Sequence, residues 1–150
     1  MSSPFHFGKY LLIDKIGTGG MAELYMAKQT GLKGFEKVMA IKRILPHLTQ
    51  DTEFVNMFIN EAKLAALLSH QNIVQIFDLG NVDGMYYIAM EYVMGKDLRT
   101  LLRKRREKKT HIPTDLALLM SSRICSGLDY AHRKKDLSGS HERLCYNRLA

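Results

Sequence analysis

Ile16-Gly17-Thr18-Gly19-Gly20-Met21-Ala22-Glu23-Leu24 is the stretch on which the fold turns. Gly17 to Ala22 matches G-x-G-x-x-A, and glycine matters in such a turn because bare backbone amides can approach and cradle phosphate oxygens. A dinucleotide-binding turn has the same pattern but must open a helix, so that the pyrophosphate sits at the helix N-terminus. Here the residues on both sides read as strand. Tyr10 to Ile16 is apolar, and Glu23 to Gln29 alternates, with Leu24 and Met26 on one face and Tyr25 and Ala27 on the other. The stretch is a glycine-tipped hairpin. Taken alone, it is equally consistent with a hairpin that holds no ligand.

Working outward, Gly31 to Phe35 reads as a loop and Lys37 to Arg43 as a third strand ended before Pro46. From Asp51, an N-cap with Glu53 in the first turn, the spacing changes to Val55, Phe58, Ala62, Ala65 and Leu68, which predicts a helix to about Ser69. Ile73 to Leu79 and Met85 to Tyr92 predict two more strands joined through the turn-rich Gly80 to Gly84. Asp97 to about Lys108 and Thr114 to about Lys135 predict two helices, the second with Ala117, Met120, Ile124, Leu128 and Ala131 on one face. The expected class is α+β, with five antiparallel strands and one helix first and further helices after them. No internal repeat or low-complexity segment interrupts this order.

Lys42 lies near the end of the third strand, on the same face as Ala40 and Val38. A lysine directed at a covered face is costly unless an anion meets it. Glu61 is a candidate, because it falls between Phe58 and Ala65 on the apolar face of its helix. Each charge explains the other, although both side chains could instead reach out to water.

The chain has 150 residues, 46% hydrophobic and 25% charged, which suits one domain with a real core and excludes a disordered or collagen-like chain. The net charge of +7 is local: residues 1 to 102 carry ten basic and ten acidic side chains, and residues 103 to 150 twelve and five. Arg103-Lys104-Arg105-Arg106-Glu107-Lys108-Lys109 could meet phosphates of nucleic acid or lipid, but without interleaved aromatics it reads as a solvated helix face, which argues against a nucleic-acid partner. Cys125 and Cys145 have no C-x-x-C spacing, so neither a disulfide framework nor a zinc site is supported and no metal ligand is assigned. No run is apolar and long enough to span a membrane, and a reducing cytoplasm is the expected location.

With these residues in place, the chain resembles the protein kinase family, specifically the smaller N-terminal lobe of a bacterial serine/threonine kinase. Ile16 to Leu24 resembles the glycine-rich loop, Met39-Ala40-Ile41-Lys42 the V-A-I-K strand, and Glu61 the lysine's partner on the following helix. His70-Gln71-Asn72-Ile73-Val74 resembles H-P-N-I-V, Met90-Glu91-Tyr92-Val93 the hinge, and Gly127 to His132 the end of the long helix of the larger lobe. The resemblance implies ATP as ligand, with its phosphates under Gly17, Thr18, Gly19 and Gly20 and with Lys42 held by Glu61 against them. It further implies Ile16, Leu24 and Ala40 at the adenine, the backbone of Glu91 and Val93 at its edge, Met90 as gatekeeper and Asp97 at the ribose. Ala22 in place of the third glycine and Leu24 in place of the usual valine are modest departures.

The division expected from this resemblance is an N-lobe over 1–93, a hinge exit and first C-lobe helices over 94–136, and an unassigned tail over 137–150. No H-R-D or D-F-G segment is recognisable, and His132-Arg133-Lys134-Lys135-Asp136 is only superficially similar to the former. On this reading the chain stops short of the catalytic loop and is inactive alone, and Mg²⁺ is expected only in a complete kinase. The expected partners are ATP and a protein substrate, with self-association through the apolar helix stripe. The competing reading is a kinase-like binding module without catalysis.

Overall fold

The computed structural model describes residues 3–134. The expectations for the tail over 137–150 lie outside them. Two compact units emerge, one from the chain up to Ser69 together with Val74–Val93, the other from His70–Ile73 together with the chain from Met94 onward.

The first unit is one antiparallel sheet and one long helix. Its strands are β1 (Phe5–Phe7), β2 (Tyr10–Thr18), β3 (Ala22–Thr30), β4 (Glu36–Ile44), β5 (Ile76–Val82) and β6 (Met85–Met90), in the order β1-β2-β3-β4-β6-β5. The five expected strands are all present, and β1 adds a sixth at the edge. Three residues are too few for a period of two to register in the sequence. Tertiary contacts hold them: Phe7 is buried edge-on against Tyr87 at 5.5 Å, and Phe5 stands edge-on to Tyr25 at 5.9 Å.

Both faces of the sheet are apolar. One carries Phe7, Tyr10, Leu12, Tyr25, Ala27, Met39, Ile41, Tyr87 and Ala89. The other carries Ala22, Ile44 and Ile88, against which Val55, Phe58 and Ala62 of α1 (Thr52–Ala66) are buried. The helix starts where the sequence indicates, because Asp51 Oδ1 accepts the N–H groups of Glu53 and Phe54 at 3.0 and 3.3 Å. It ends at Ala66, short of Ser69.

The second hairpin departs most from expectation. Strand β5 begins at Ile76, not Ile73, and runs through Gly80 to Val82, so the turn shrinks to Asp83 and Gly84, both with positive φ (50° and 83°). That is the backbone of a tight two-residue hairpin turn, for which Asp-Gly is a favoured pair. Gly80 sits inside the strand for a different reason. A Cβ there would lie 2.5 Å from the Tyr87 hydroxyl and 2.7 Å from its ring, because Tyr87 on β6 folds directly across it.

The second unit contains α2 (Leu98–Glu107) and α3 (Thr114–Arg133). His70 to Ile73, expected to lead into a strand, turns instead and is fastened to α3. Asn72 Nδ2 donates to the Arg123 carbonyl at 3.0 Å, His70 Nε2 lies 3.3 Å from Ser126 Oγ, and the His70 ring stacks on Tyr130 at 5.1 Å. Gly127 is buried there, with the Asn72 carbonyl 3.4 Å from where its Cβ would be. This clasp explains why β5 starts late. Along α3, Gly127 and Ala131 are buried, whereas Ile124 and Leu128 are about half exposed, at 52% and 50%. Among the described residues no helix is long and apolar enough to cross a membrane.

Candidate functional site

The site is assembled on the sheet face that carries α1. Residues opposite one another in neighbouring strands share a face, and the register sets Leu24 across from both Gly17 and Lys42, and Ala40 across from both Met26 and Met90. Leu24, Ala40, Lys42 and Met90 therefore form one contiguous patch. Ala40 is buried, Leu24 and Met90 are half-buried, and Ile16, at a register shift of β2 just before Gly17, is exposed.

Lys42 Nζ donates to Glu61 Oε1 of α1 at 2.5 Å and stands 5.7 Å from the Phe58 ring. Their side chains are 27% and 42% exposed. An ion pair this accessible contributes only about 0–1 kcal/mol to folding. Packing of α1 already follows from Val55, Phe58 and Ala62, so stability does not account for a lysine at this point of the apolar patch. The pair presents a fixed cation beside the glycine-rich turn.

That turn is open. The Gly19 N–H donates to the Ala22 carbonyl at 2.8 Å and closes it. None of Gly17, Gly19 and Gly20 has a positive φ, and an added Cβ would meet Leu24 Cβ at 3.7 Å, the Ala22 carbonyl at 3.7 Å and nothing within 4 Å, respectively. The chain itself could accommodate alanine at all three. No contact among the described residues therefore calls for glycine at these three positions.

The base of the turn is clamped by a cluster that the sequence did not reveal. Glu23, the second residue of β3, accepts from Lys15 Nζ of β2 at 2.6 Å, from Arg43 Nη2 of β4 at 2.8 Å and from the Tyr25 hydroxyl at 2.9 Å. Arg43 lies 5.1 to 5.8 Å from the rings of Tyr25, Phe7 and Phe5, and its buried Nε has no hydrogen-bond partner, so aromatic faces enclose it instead. The only signal in the sequence was charge at Lys15, Glu23 and Arg43, and nothing local placed them together.

Lys15, followed by Arg43 and Tyr25, holds the Glu23 carboxyl down to about 2 from its ordinary 4.5, against the opposing effect of burial. Because the folded-state value is the lower one, the stabilisation is complete above about pH 4.5 and disappears as pH falls from there through about 2. Replacing Glu23 with glutamine is expected to flatten the dependence of melting temperature on pH between about 5 and 2. Parallel curves for the two proteins would refute this.

The remaining candidates follow β6. The Glu91 N–H donates to the Gln75 carbonyl at 2.9 Å, which leaves its own carbonyl as the group it can offer. Val93 is 63% exposed. Asp97 belongs to the second unit and caps α2, accepting from the Thr100 N–H at 2.7 Å and the Thr100 hydroxyl at 2.8 Å. The Thr100 backbone N–H, then its hydroxyl, hold the Asp97 carboxyl below the usual range. Among the described residues no group of His, Cys, Asp or Glu could hold a metal ion.

Comparison with known proteins bears on this arrangement. The sequence matches the protein kinase domain family over residues 10–137. It is similar to the tyrosine-protein kinase MasK of Myxococcus xanthus, 46% identical over 133 residues that cover 89% of this chain and 21% of that one. It is also similar to the serine/threonine-protein kinase PrkC of Bacillus subtilis, 36% identical over 128 residues, 85% of this chain and 19% of that one. Among solved structures, the PknI kinase domain of Mycobacterium tuberculosis superposes with a TM-score of 0.69 at 31% identity, covering 88% of this chain and 51% of that one. The chain thus spans about a fifth of the curated relatives' length and half of the PknI domain. The matched span contains the open glycine turn, the Lys42–Glu61 pair and strands β2 to β6, and the chain belongs to the protein kinase domain family.

Proposed function

We propose that the first unit binds ATP and that, in the complete fold, it serves phosphoryl transfer to serine or threonine of a protein. One observation carries the nucleotide reading: glycines that no internal packing requires lie beside a lysine that stability does not require, on one face of one sheet. The amides of Gly17 to Gly20 hold the phosphates, and Lys42, kept in place by Glu61, offsets the negative charge of the α- and β-phosphates. Leu24 and Ala40 cover the adenine, with Ile16 on its open side and Met90 limiting the depth. The Glu91 carbonyl and the Val93 N–H meet the adenine edge, and the resemblance extends the set to Asp97 at the ribose. ATP supplies the transferable γ-phosphoryl group; the residues named here only bind and orient it. The acceptor follows relatives such as PrkC, while the name of MasK makes tyrosine the alternative that a substrate test must include.

Calorimetry tests the reading. Binding is expected on the order of 0.1 mM or weaker, changed little by Mg²⁺, since no segment with the family's Mg²⁺ ligands is recognisable in the sequence. Gly20→Ala is expected to leave the melting temperature unchanged and weaken binding several-fold, roughly 1 kcal/mol, because its Cβ meets the ligand and not the protein. Absence of any ATP binding by the wild type, or a Gly20→Ala protein that binds equally well, would overturn the site.

A second reading, a kinase-like binding module without catalysis, is favoured by the half-exposed Ile124 and Leu128 on α3. It predicts a sedimentation coefficient that rises with concentration and reverts in Ile124→Ser/Leu128→Ser. A concentration-independent monomer speaks against association through α3.

A further inference from the structure

The basic run after Arg103 plays no part in the site above, and the structure gives it a shape. Helix α2 ends with the Thr110 N–H donating to the Arg105 carbonyl at 2.9 Å and the Lys109 N–H to the Arg106 carbonyl at 3.0 Å. This pair of bonds is the Schellman closure, which requires a left-handed residue between them and normally uses glycine. Here the residue is Lys109, with φ 51°. Lysine there carries a steric cost that glycine would not, and it places a cationic side chain at the end of the helix.

Lys109 lines a cavity of about 740 Å³ within the second unit, together with Arg105, Arg106, Leu102, Ile112 and Ala117. Three cations and three apolar side chains share one concavity, and among the described residues no carboxylate lines it. Among the described residues none of the three cations has an acidic partner, since Glu107, the acid within this run, faces Arg103 at 3.9 Å. The negative end of the helix dipole is blunted as well, because the last carbonyls are already capped by the N–H groups of Lys108, Lys109 and Thr110.

We propose that this cavity docks an acidic peptide segment of a protein partner, with Arg105, Arg106 and Lys109 receiving carboxylates and Leu102, Ile112 and Ala117 receiving one aliphatic side chain. Charge complementarity selects the sign, and the apolar walls select a peptide. A nucleic acid would use several stacking rings alongside the cations, whereas among the described residues the one ring at the cavity is that of His111. A bilayer would take apolar side chains that project outward, whereas Ile112 and Ala117 are half-buried in the hollow. The proposal does not depend on nucleotide binding.

The test uses the whole chain and a fluorescent peptide with one leucine flanked on both sides by aspartates and glutamates, read by anisotropy. Control probes replace the acids with lysines or the leucine with serine, and phosphatidylserine vesicles and a single-stranded oligonucleotide are added separately. The acidic leucine peptide is expected to bind at least about tenfold tighter than either control peptide, a difference of about 1.4 kcal/mol. Lys109→Gly is the decisive variant. Glycine suits the left-handed position, so this protein should melt at the same or a higher temperature while binding the peptide several-fold more weakly. A second variant, Arg105→Ala/Arg106→Ala, should lower affinity more than Lys109→Gly does and weaken its dependence on salt. Unchanged peptide affinity in Lys109→Gly, or vesicles or oligonucleotide bound more tightly than the peptide, would overturn the proposal.

Discussion

Replacing Lys42 with methionine is expected to lower ATP affinity by at least tenfold, about 1.4 kcal/mol, while Lys37→Met changes it little. The two lysines share β4 but point to opposite faces, as an odd separation along a strand requires. Lys42 reaches Glu61 on the α1 face, whereas Lys37 Nζ lies 3.4 Å over the ring of Phe77. Methionine keeps most of the length and the apolar stem of Lys42 while removing its ammonium group, so the helix packing should survive. On the proposed site, the loss reports the charge that Lys42 would place against the phosphates. Circular dichroism and calorimetry on both variants, with Glu61→Gln as a third, separate the effects: Glu61→Gln should weaken binding less than Lys42→Met, since it releases the ammonium without removing it. Equal losses for Lys37→Met and Lys42→Met would refute the assignment of the face.

The largest effect on stability is expected from Phe58→Ala, about 3–5 kcal/mol, the usual range for truncating a buried aromatic ring. Phe58 is 3% exposed, in the cluster that joins α1 to Ala22, Ile44 and Ile88. Its ring also lies 5.7 Å from Lys42 Nζ, one turn before Glu61 on the same helix. Losing it leaves a cavity under the segment that positions the ion pair. Urea titration should show a lower midpoint with an unchanged slope, and the surviving folded protein should bind ATP more weakly than wild type. Leu32→Ala, at a residue 92% exposed, is the control and should stay within about 0.5 kcal/mol. A Phe58→Ala midpoint equal to that of wild type would mean that α1 is held by contacts other than those described.

The amino-acid sequence by itself determined the features whose causes lie within a few residues. The glycine turn between two strand-like runs specified a hairpin, Asp51 with Glu53 in the first turn specified where α1 begins, and the spacing of Val55, Phe58 and Ala62 specified the face it buries. Alternation along β4 also fixed that Lys42 and Lys37 diverge. These are consequences of helix period, strand period and capping, all of which are local. Only the tertiary structure decided what depends on the register between distant segments. Strand β1 exists because Phe5 and Phe7 find Tyr25 and Tyr87, and β5 starts at Ile76 because Asn72 is committed to α3. Glu23 and Arg43 meet because β3 and β4 set them opposite one another, and Lys15 joins them because β2 shifts register between Leu12 and Asp14, which puts Lys15 opposite Tyr25. A bulge inserts a residue that no periodic pattern announces, and it changes which side chains meet across strands. For the same reason the contact between Lys42 and Glu61, two residues whose faces were legible separately, became a bond only when α1 was laid on the twisted sheet.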